Sequence, residues 1–259
     1  MTGLLLRLAG PLQSWGERSA FNPIRDSAPF PTRSGLIGMF AAAAGLHRGA
    51  DLHRYRDLEF TVRIDRPGTP LTDFHTAGGG LPKDQTAATS GGDHKGDAVV
   101  THRHYLADAV FTVAVTGPGD TIADIATALQ RPHWAPYLGR RSCVPDEPLL
   151  LRPHVDNPVE ELLERVPLST HPTRQPRHDQ DTIPVEFIWE NHPDPLPQNA
   201  VALTIYDNPT TFAQHNRAHA KRQLHRTACH LPARLAADTT TPVFQRLFAY
   251  MHHEEEVPA

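Results

Sequence analysis

Cysteine is scarce in these 259 residues: Cys143 and Cys229 are the only two. They have no metal-type spacing and cannot build a disulfide framework, so a reducing, cytoplasmic setting is expected. Long hydrophobic runs are missing too. The longest, LIGMFAAAAGL at 36–46, falls well short of the ~20 residues a membrane helix needs. No charged segment followed by a signal-like apolar stretch opens the chain, and neither secretion nor membrane insertion is expected. Lysine is nearly absent: of 25 basic residues only Lys83, Lys95 and Lys221 are lysines. Arginine suits bidentate phosphate contacts and stacking on bases, although an Ala-, Arg- and Pro-rich composition yields the same bias. There is no G-x-x-x-x-G-K-[ST] phosphate loop. A formal net charge of −4 argues against a free-standing nucleic-acid binder, yet it leaves room for local basic patches. With 39% apolar residues and a mean hydropathy of −0.43, the chain reads as globular, either one large domain or two small ones.

The first 46 residues carry the strongest pattern. An apolar strand over 3–9 stops at Gly10-Pro11 and presents Gln13, Ser14 and Trp15. An irregular arm over 17–31 bears Arg18 and Arg25. Thr32 or Ser34 then caps a helix running to about Leu46, with Arg33 in its first turn. An aromatic, uncharged donors and arginines at the ends of buried elements are what grips a single-stranded nucleic-acid backbone. Trp15 either stacks on a base or anchors the turn in the core. Arg33 is disfavoured by the helix dipole and needs a negative partner, either a phosphate or a carboxylate such as Asp26.

Further on, LEFTVRID (58–65) alternates as a strand. Residues 66–100 are Gly-, Thr-, Asp- and Pro-rich and read as an extended insertion, a hairpin or loop. DAVFTVAVT (108–116) is a strand, 120–130 a short amphipathic helix, PYLGRRSCVP a Gly-centred loop and 149–151 another strand. The order strand, helix, strand, insertion, strand, helix, strand, paired antiparallel, is the ferredoxin-like split βαβ arrangement. Beyond 153 the pattern weakens. Residues 167–184 read as polar and flexible, 185–189 and 200–206 as a strand pair, and 210–229 as a helix bearing His and Arg. The end, HHEEEVPA, is a charged tail with no assigned role.

LRLAGPLQSWG, FPTRSGLIGMFAAAAGL, DFHTAGG, HRHYLADAVFTVAV and PYLGRRSC follow in this order. Together they resemble the CasD family, the fifth Cas protein family in its type I-E form, a RAMP-type subunit of the CRISPR surveillance complex Cascade. The resemblance covers about residues 4–151. It implies an α+β fold: a ferredoxin-like (RRM-type) palm over 1–152 with a β-hairpin thumb at 72–106, a C-terminal extension at 153–231 and a tail at 232–259. It also implies a non-catalytic RNA-binding role in antiviral defence, gripping the 5′ handle of the CRISPR RNA and capping that end of the complex. The expected neighbours are the backbone subunit CasC and the large subunit CasA, with target DNA reached only through the complex. Neither cofactor nor metal is expected. Carried over by residue, the resemblance puts Gln13, Ser14, Trp15 and Arg25 beside the handle, with Arg33 and Ser34 at the helix start. His75 and Thr76 flank one side of the thumb's base and Arg103 and Tyr105 the other. Arg140, Arg141 and Ser142 come from the Gly-centred loop. The thumb tip, GGGLPKDQTAATSGGDHKGD, departs from the family by being Gly-rich and low in arginine.

Blander readings stand beside these. Arg140-Arg141 can be a salt-bridged surface turn, and Arg103 an exposed strand position. Seventeen histidines raise a second possibility, a metal-independent endoribonuclease that processes precursor CRISPR RNA. His75 or His104, close together across the thumb's base, would then act as acid or base, with an arginine to stabilise the developing charge. Neither sits in the His–Lys–Tyr arrangement of catalytic relatives, and His102-x-His104 and His252-His253 lack a third metal ligand. A third possibility is a scaffold working through protein contacts alone.

Overall fold

The computed structural model describes residues 2–17, 23–86, 92–94, 96–169, 181–192, 195–213, 217–236 and 241–252. Arg18, Lys95, most of the polar stretch at 167–184, part of the hairpin tip and the last seven residues lie outside them.

Strand β1 (Gly3–Ala9) is buried along its whole length, which is why its sequence is continuously apolar rather than alternating. Two short strands follow, β2 (Leu12–Gln13) and β3 (Ile24–Arg25). Helix α1 (Arg33–Ala43) starts at Thr32, whose side chain accepts a hydrogen bond from the Gly35 amide. It stops a little before the expected Leu46. Then come β4 (Glu59–Arg66), a hairpin of β5 (Thr69–Ala77) and β6 (Val99–Ala107), β7 (Val110–Thr116), α2 (Gly119–Gln130) and β8 (Leu150–Val155). The remainder holds α3 (Pro158–Glu164), β9 (Thr182–Trp189), β10 (Val201–Thr211), β11 (Ala218–Pro232) and α4 (Val243–His252).

Seven strands form one sheet in the order β10-β11-β9-β4-β7-β1-β8, antiparallel at each junction. Within it, β4-β7-β1-β8 with α1 and α2 realises the strand–helix–strand–strand–helix–strand pattern read from the sequence. The chain is thus a mixed α/β protein, mostly β. Register explains the two cores. Leu4, Leu6 and Leu8 pair with Val115, Val113 and Phe111 and point at α1 and α2. Leu5 and Ala114 point the other way, against α3, α4, Phe187 and Trp189. The β5/β6 hairpin leaves this sheet and forms a second one with β2 and β3 on the flanks of β6.

Three expectations are corrected. Residues 210–229 are not a helix but the end of β10 and most of β11, an antiparallel pair at the sheet's edge. Their Ala, Arg, Lys and Gln favour helix intrinsically, and pairing with β9 and β10 overrides that preference. The strands at 185–189 and 200–206 are not paired with each other, because β11 lies between β9 and β10, and Arg7 is buried in line with Thr112 and Arg63. The tail is not featureless: α4 buries Leu247 and Tyr250 in the second core.

Candidate nucleic-acid interface

Gln13 acts as a fastener. Its side-chain amide is fully buried and donates to the carbonyls of Leu8 (3.0 Å) and Ala109 (2.8 Å), and its Oε1 accepts from Trp15 Nε1 at 3.0 Å. Trp15 is thereby held under α1 with 1% exposure; a Cβ on Gly35 would lie 2.8 Å from its ring. The stacking role expected for Trp15, and direct RNA contact by Gln13, give way to core roles, because every polar atom of this pair is spent inside. Ser14 follows the same logic at the rim. Its amide donates to the Leu138 carbonyl at 3.0 Å and its hydroxyl to the His104 carbonyl at 3.0 Å. Its own carbonyl sits so close to Gly139 (φ 87°) that a Cβ there would come within 1.6 Å. The Gly-centred loop is therefore locked onto the turn after β1, and Arg140 is aimed by that lock.

Arg140, Arg103 and Arg25 converge. Arg25 and Arg103 are register partners across the parallel β3/β6 pair, with Asp73 beyond Arg103 on β5. Arg140 lies over the Tyr105 ring at 4.6 Å and donates through Nη2 to the Arg25 carbonyl at 3.1 Å, while its buried Nη1 has no hydrogen-bond partner among the described residues. Burial, and after it the nearby Arg103 and Arg140 charges, lower the pKa of Arg25 against the pull of Asp26. Tyr105, 7% exposed, works as the platform for Arg140 rather than as an RNA contact.

The opposite wall comes from the hairpin of β10 and β11, whose Arg217 and His219 reach the same space. Arg217 lies over Phe212 at 5.3 Å. Burial, then Arg48, lower its pKa. Burial, then Arg217, hold the His219 imidazole below its ordinary 6.5, with Asp207 opposing. The space between the walls is a cleft of about 960 Å³ whose lining includes Ser14, Trp15, Arg25, Ser34, Arg103, Arg140, Arg217 and His219. Four guanidiniums around one polar cleft suit a polyanion threaded between them.

Arg33 does not join them. Its guanidinium turns inward, 6% exposed, and donates to the carbonyls of Leu58, Tyr55 and Arg56 and to both carboxylate oxygens of Glu190. Its backbone N–H donates to Asp207 Oδ2 at 2.7 Å. The negative partner is thus neither phosphate nor Asp26 but two acids from the C-terminal strands. Arg222 completes the cluster, bonding Asp207 at 2.5 and 2.7 Å and also Glu190. Burial pushes the Glu190 carboxyl up, against the pull of Arg222 and Arg33. Burial works against the Arg222 charge as well, but its bonds to Asp207 and Glu190 hold the guanidinium above its ordinary value. This buried cluster clamps α1 to β10 and β11 and so sets the spacing of the cleft walls.

Other expected residues lie elsewhere. Arg141 and Ser142 are exposed and absent from the lining. His75 and Thr76 sit farther out on β5. His104 pairs with Thr72, and His75 with Thr101. With side chains alternating along a strand, His75 and His104 occupy opposite faces of the hairpin. The expected approach of these two histidines across its base is not realised. Sequence reading missed Arg217, His219, Tyr137 and Tyr206. The signal against a helix at 210–229 was present: no large apolar residue stands between Phe212 and Leu224, so no helical stripe exists. Among the described residues, no group of three or more His, Cys, Asp or Glu side chains is placed to hold a metal, and no helix is long and apolar enough to cross a membrane.

A family model described as CRISPR-associated protein (Cas_Cas5) matches residues 3–225. The CRISPR system Cascade subunit CasD of Escherichia coli (strain K12) is 39% identical over 158 residues, 57% of this chain and 69% of that protein. Among solved structures, a chain of a CRISPR RNA-guided surveillance complex superposes with a TM-score of 0.83 at 49% identity. That match covers 96% of this chain and 99% of the other. A crystal structure of a Cas protein gives 0.59 at 26% identity, over 93% and 100%.

Proposed function

The chain belongs to the CRISPR-associated Cas5 family, and we propose that it is the subunit of a type I-E Cascade complex that holds the 5′ handle of the CRISPR RNA. The observation that carries this reading is the convergence of Arg25, Arg103 and Arg140 in one cleft, with Arg140 Nη1 lacking a hydrogen-bond partner among the described residues. Phosphate oxygens of a single strand supply the acceptor that Arg140 Nη1 lacks and offset the like charges gathered there. The β4-β7-β1-β8 order with α1 and α2 supports reading residues 1–152 as a ferredoxin-like palm. The β5/β6 hairpin serves as its thumb, and residues 153–231 form the extension that closes the cleft with Arg217 and His219.

The thumb has two unlike faces. Arg103, register-paired with Arg25, serves the cleft. The other face carries Phe74, 65% exposed, beside His102 at 5.4 Å, with Ile24 in register. Such a face suits a neighbouring protein subunit, the backbone subunit CasC, while CasA borders the capped end. Holding rather than cutting RNA is supported by the separation of His75 and His104 onto opposite faces. The test is binding and cleavage of single-stranded CRISPR-repeat RNA by the full chain in EDTA. Tight, salt-sensitive binding without cleavage is expected, lost in the Arg103→Ala/Arg140→Ala variant. Site-specific cleavage, or wild-type affinity in that variant, overturns the reading.

A further inference from the structure

A second basic and aromatic surface continues from the main cleft across the C-terminal end of α1. Arg217, at the cleft's edge, is close enough to Arg48 for that charge to depress it. The neighbour of Arg48 in sequence, His47, lies 6.0 Å from the ring of Trp134. On the other side His133 meets the same ring at 4.5 Å and 81°. The backbone holds this group in place: the His133 amide donates to the Ala43 carbonyl at 2.8 Å, the last residue of α1. His133 also lines a second cleft of about 460 Å³ together with Arg54, Arg131, Ala43 and Ala44. Asp124, the carboxylate of that cleft, is paired with Arg54. Neither Arg131 nor Arg48 takes part in an ion pair found among the described residues.

Trp134 is 42% exposed in the middle of this path. A large aromatic left open between imidazoles and arginines on a protein of net charge −4 has the chemistry of a base-stacking platform beside phosphate contacts. Tyr137, three residues on in the same loop, already lines the main cleft, so one loop serves both places. The geometry points to a second single-stranded RNA contact, centred on Trp134, that receives the nucleotides leaving the main cleft. It rests on the reading of the main cleft as an RNA site. A strand held by Arg140 and Arg217 continues over Arg48, stacks a base on Trp134 and sets its next phosphate near Arg131.

The experiment compares two repeat-derived single-stranded RNAs carrying 4-thiouridine, one of about 6 and one of about 14 nucleotides, within the span of such sites. Each is bound to the full chain. The longer RNA is expected to photocrosslink to the peptide containing Trp134, and Trp134→Ala to lower its affinity about tenfold. Trp134→Phe keeps most of that affinity, and the shorter RNA is insensitive to both changes. Equal affinity of wild type and Trp134→Ala for the longer RNA, with no crosslink, overturns the contact. So does crosslinking of a photoreactive residue at 134 only to a protein subunit of the assembled complex. Arg140→Ala separates the two readings. If it leaves the shorter RNA tightly bound, the main-cleft reading fails, and a surviving Trp134 crosslink still supports this second contact.

Discussion

Arg33 and Glu190 meet through two hydrogen bonds of 3.1 Å, tying the first turn of α1 to the residue that follows β9. Both side chains are nearly out of solvent, at 7% and 11% exposure. Losing Arg33 leaves the buried Glu190 to Arg222 alone and unpairs the carbonyls of Leu58, Tyr55 and Arg56, which puts the loss at the lower end of the about 3–5 kcal/mol that breaking a buried pair costs. Arg33→Ala is therefore expected to lower the urea-unfolding free energy by about 3 kcal/mol. RNA held by the folded fraction should show an unchanged salt slope, because the Arg33 guanidinium is spent on Glu190 and backbone carbonyls inside the protein. A stable variant with a shallower slope would return Arg33 to the RNA surface.

The contact between Ser14 and Gly139 yields a second prediction. At φ 87° and with the Ser14 carbonyl in the place of a Cβ, Gly139→Ala combines left-handed strain with a backbone clash. Together these cost about 2–4 kcal/mol. Thermal denaturation should register the loss. RNA affinity should fall beyond it, since the loop that aims Arg140 must move.

His219 gives a pH dependence with a definite sign. Burial and Arg217 hold its pKa below 6.5 in the free protein, and a phosphate in the cleft would raise it. Between the lowered free value and the raised bound value, RNA binding takes up a proton, so affinity strengthens as pH falls through that window. Above both values His219 contributes no pH dependence. Titrating RNA binding from neutral pH downward should show the rise in wild type and a flatter profile in His219→Gln. Identical profiles would remove His219 from the cleft.

How much of this could be read from the sequence depends on the range of the interaction involved. The strands over 3–9, 58–65 and 108–116 and the helix over 120–130 were legible, because burial on one or both faces writes itself into local periodicity. Arg103 and Arg140 came from the resemblance alone, Arg103 at the thumb's base and Arg140 in the Gly-centred loop, since no local periodicity marks either. Arg33 was misassigned because its partner lies at position 190, and no local pattern announces a carboxylate so far along the chain. The dipole argument correctly required a negative partner and could not say which. Trp15 left its two roles open until Gln13 and Gly35 fixed it as core. Residues 210–229 failed for a related reason. Their helix-favouring composition is local, whereas the β9 and β10 partners that make them a strand are not. Arg217 and His219 were lost with them.

Arg141 offers an internal control, since it neighbours Arg140 in sequence but faces solvent outside the cleft. Arg141→Ala should leave affinity for repeat RNA within about twofold, as expected of an exposed charge. Arg140→Ala should weaken binding clearly in filter-binding titrations.

The salt dependence of RNA binding by the full chain with Arg25, Arg103 and Arg140 all changed to alanine tests the cleft most directly. Each phosphate neutralised on a single strand contributes about 0.7 to the slope of log affinity against log salt. The triple variant should therefore bind single-stranded repeat RNA with a slope shallower by about 2, while its circular dichroism and unfolding midpoint stay near wild type. A folded triple variant that keeps the wild-type affinity and slope would contradict the central claim that this cleft holds the RNA.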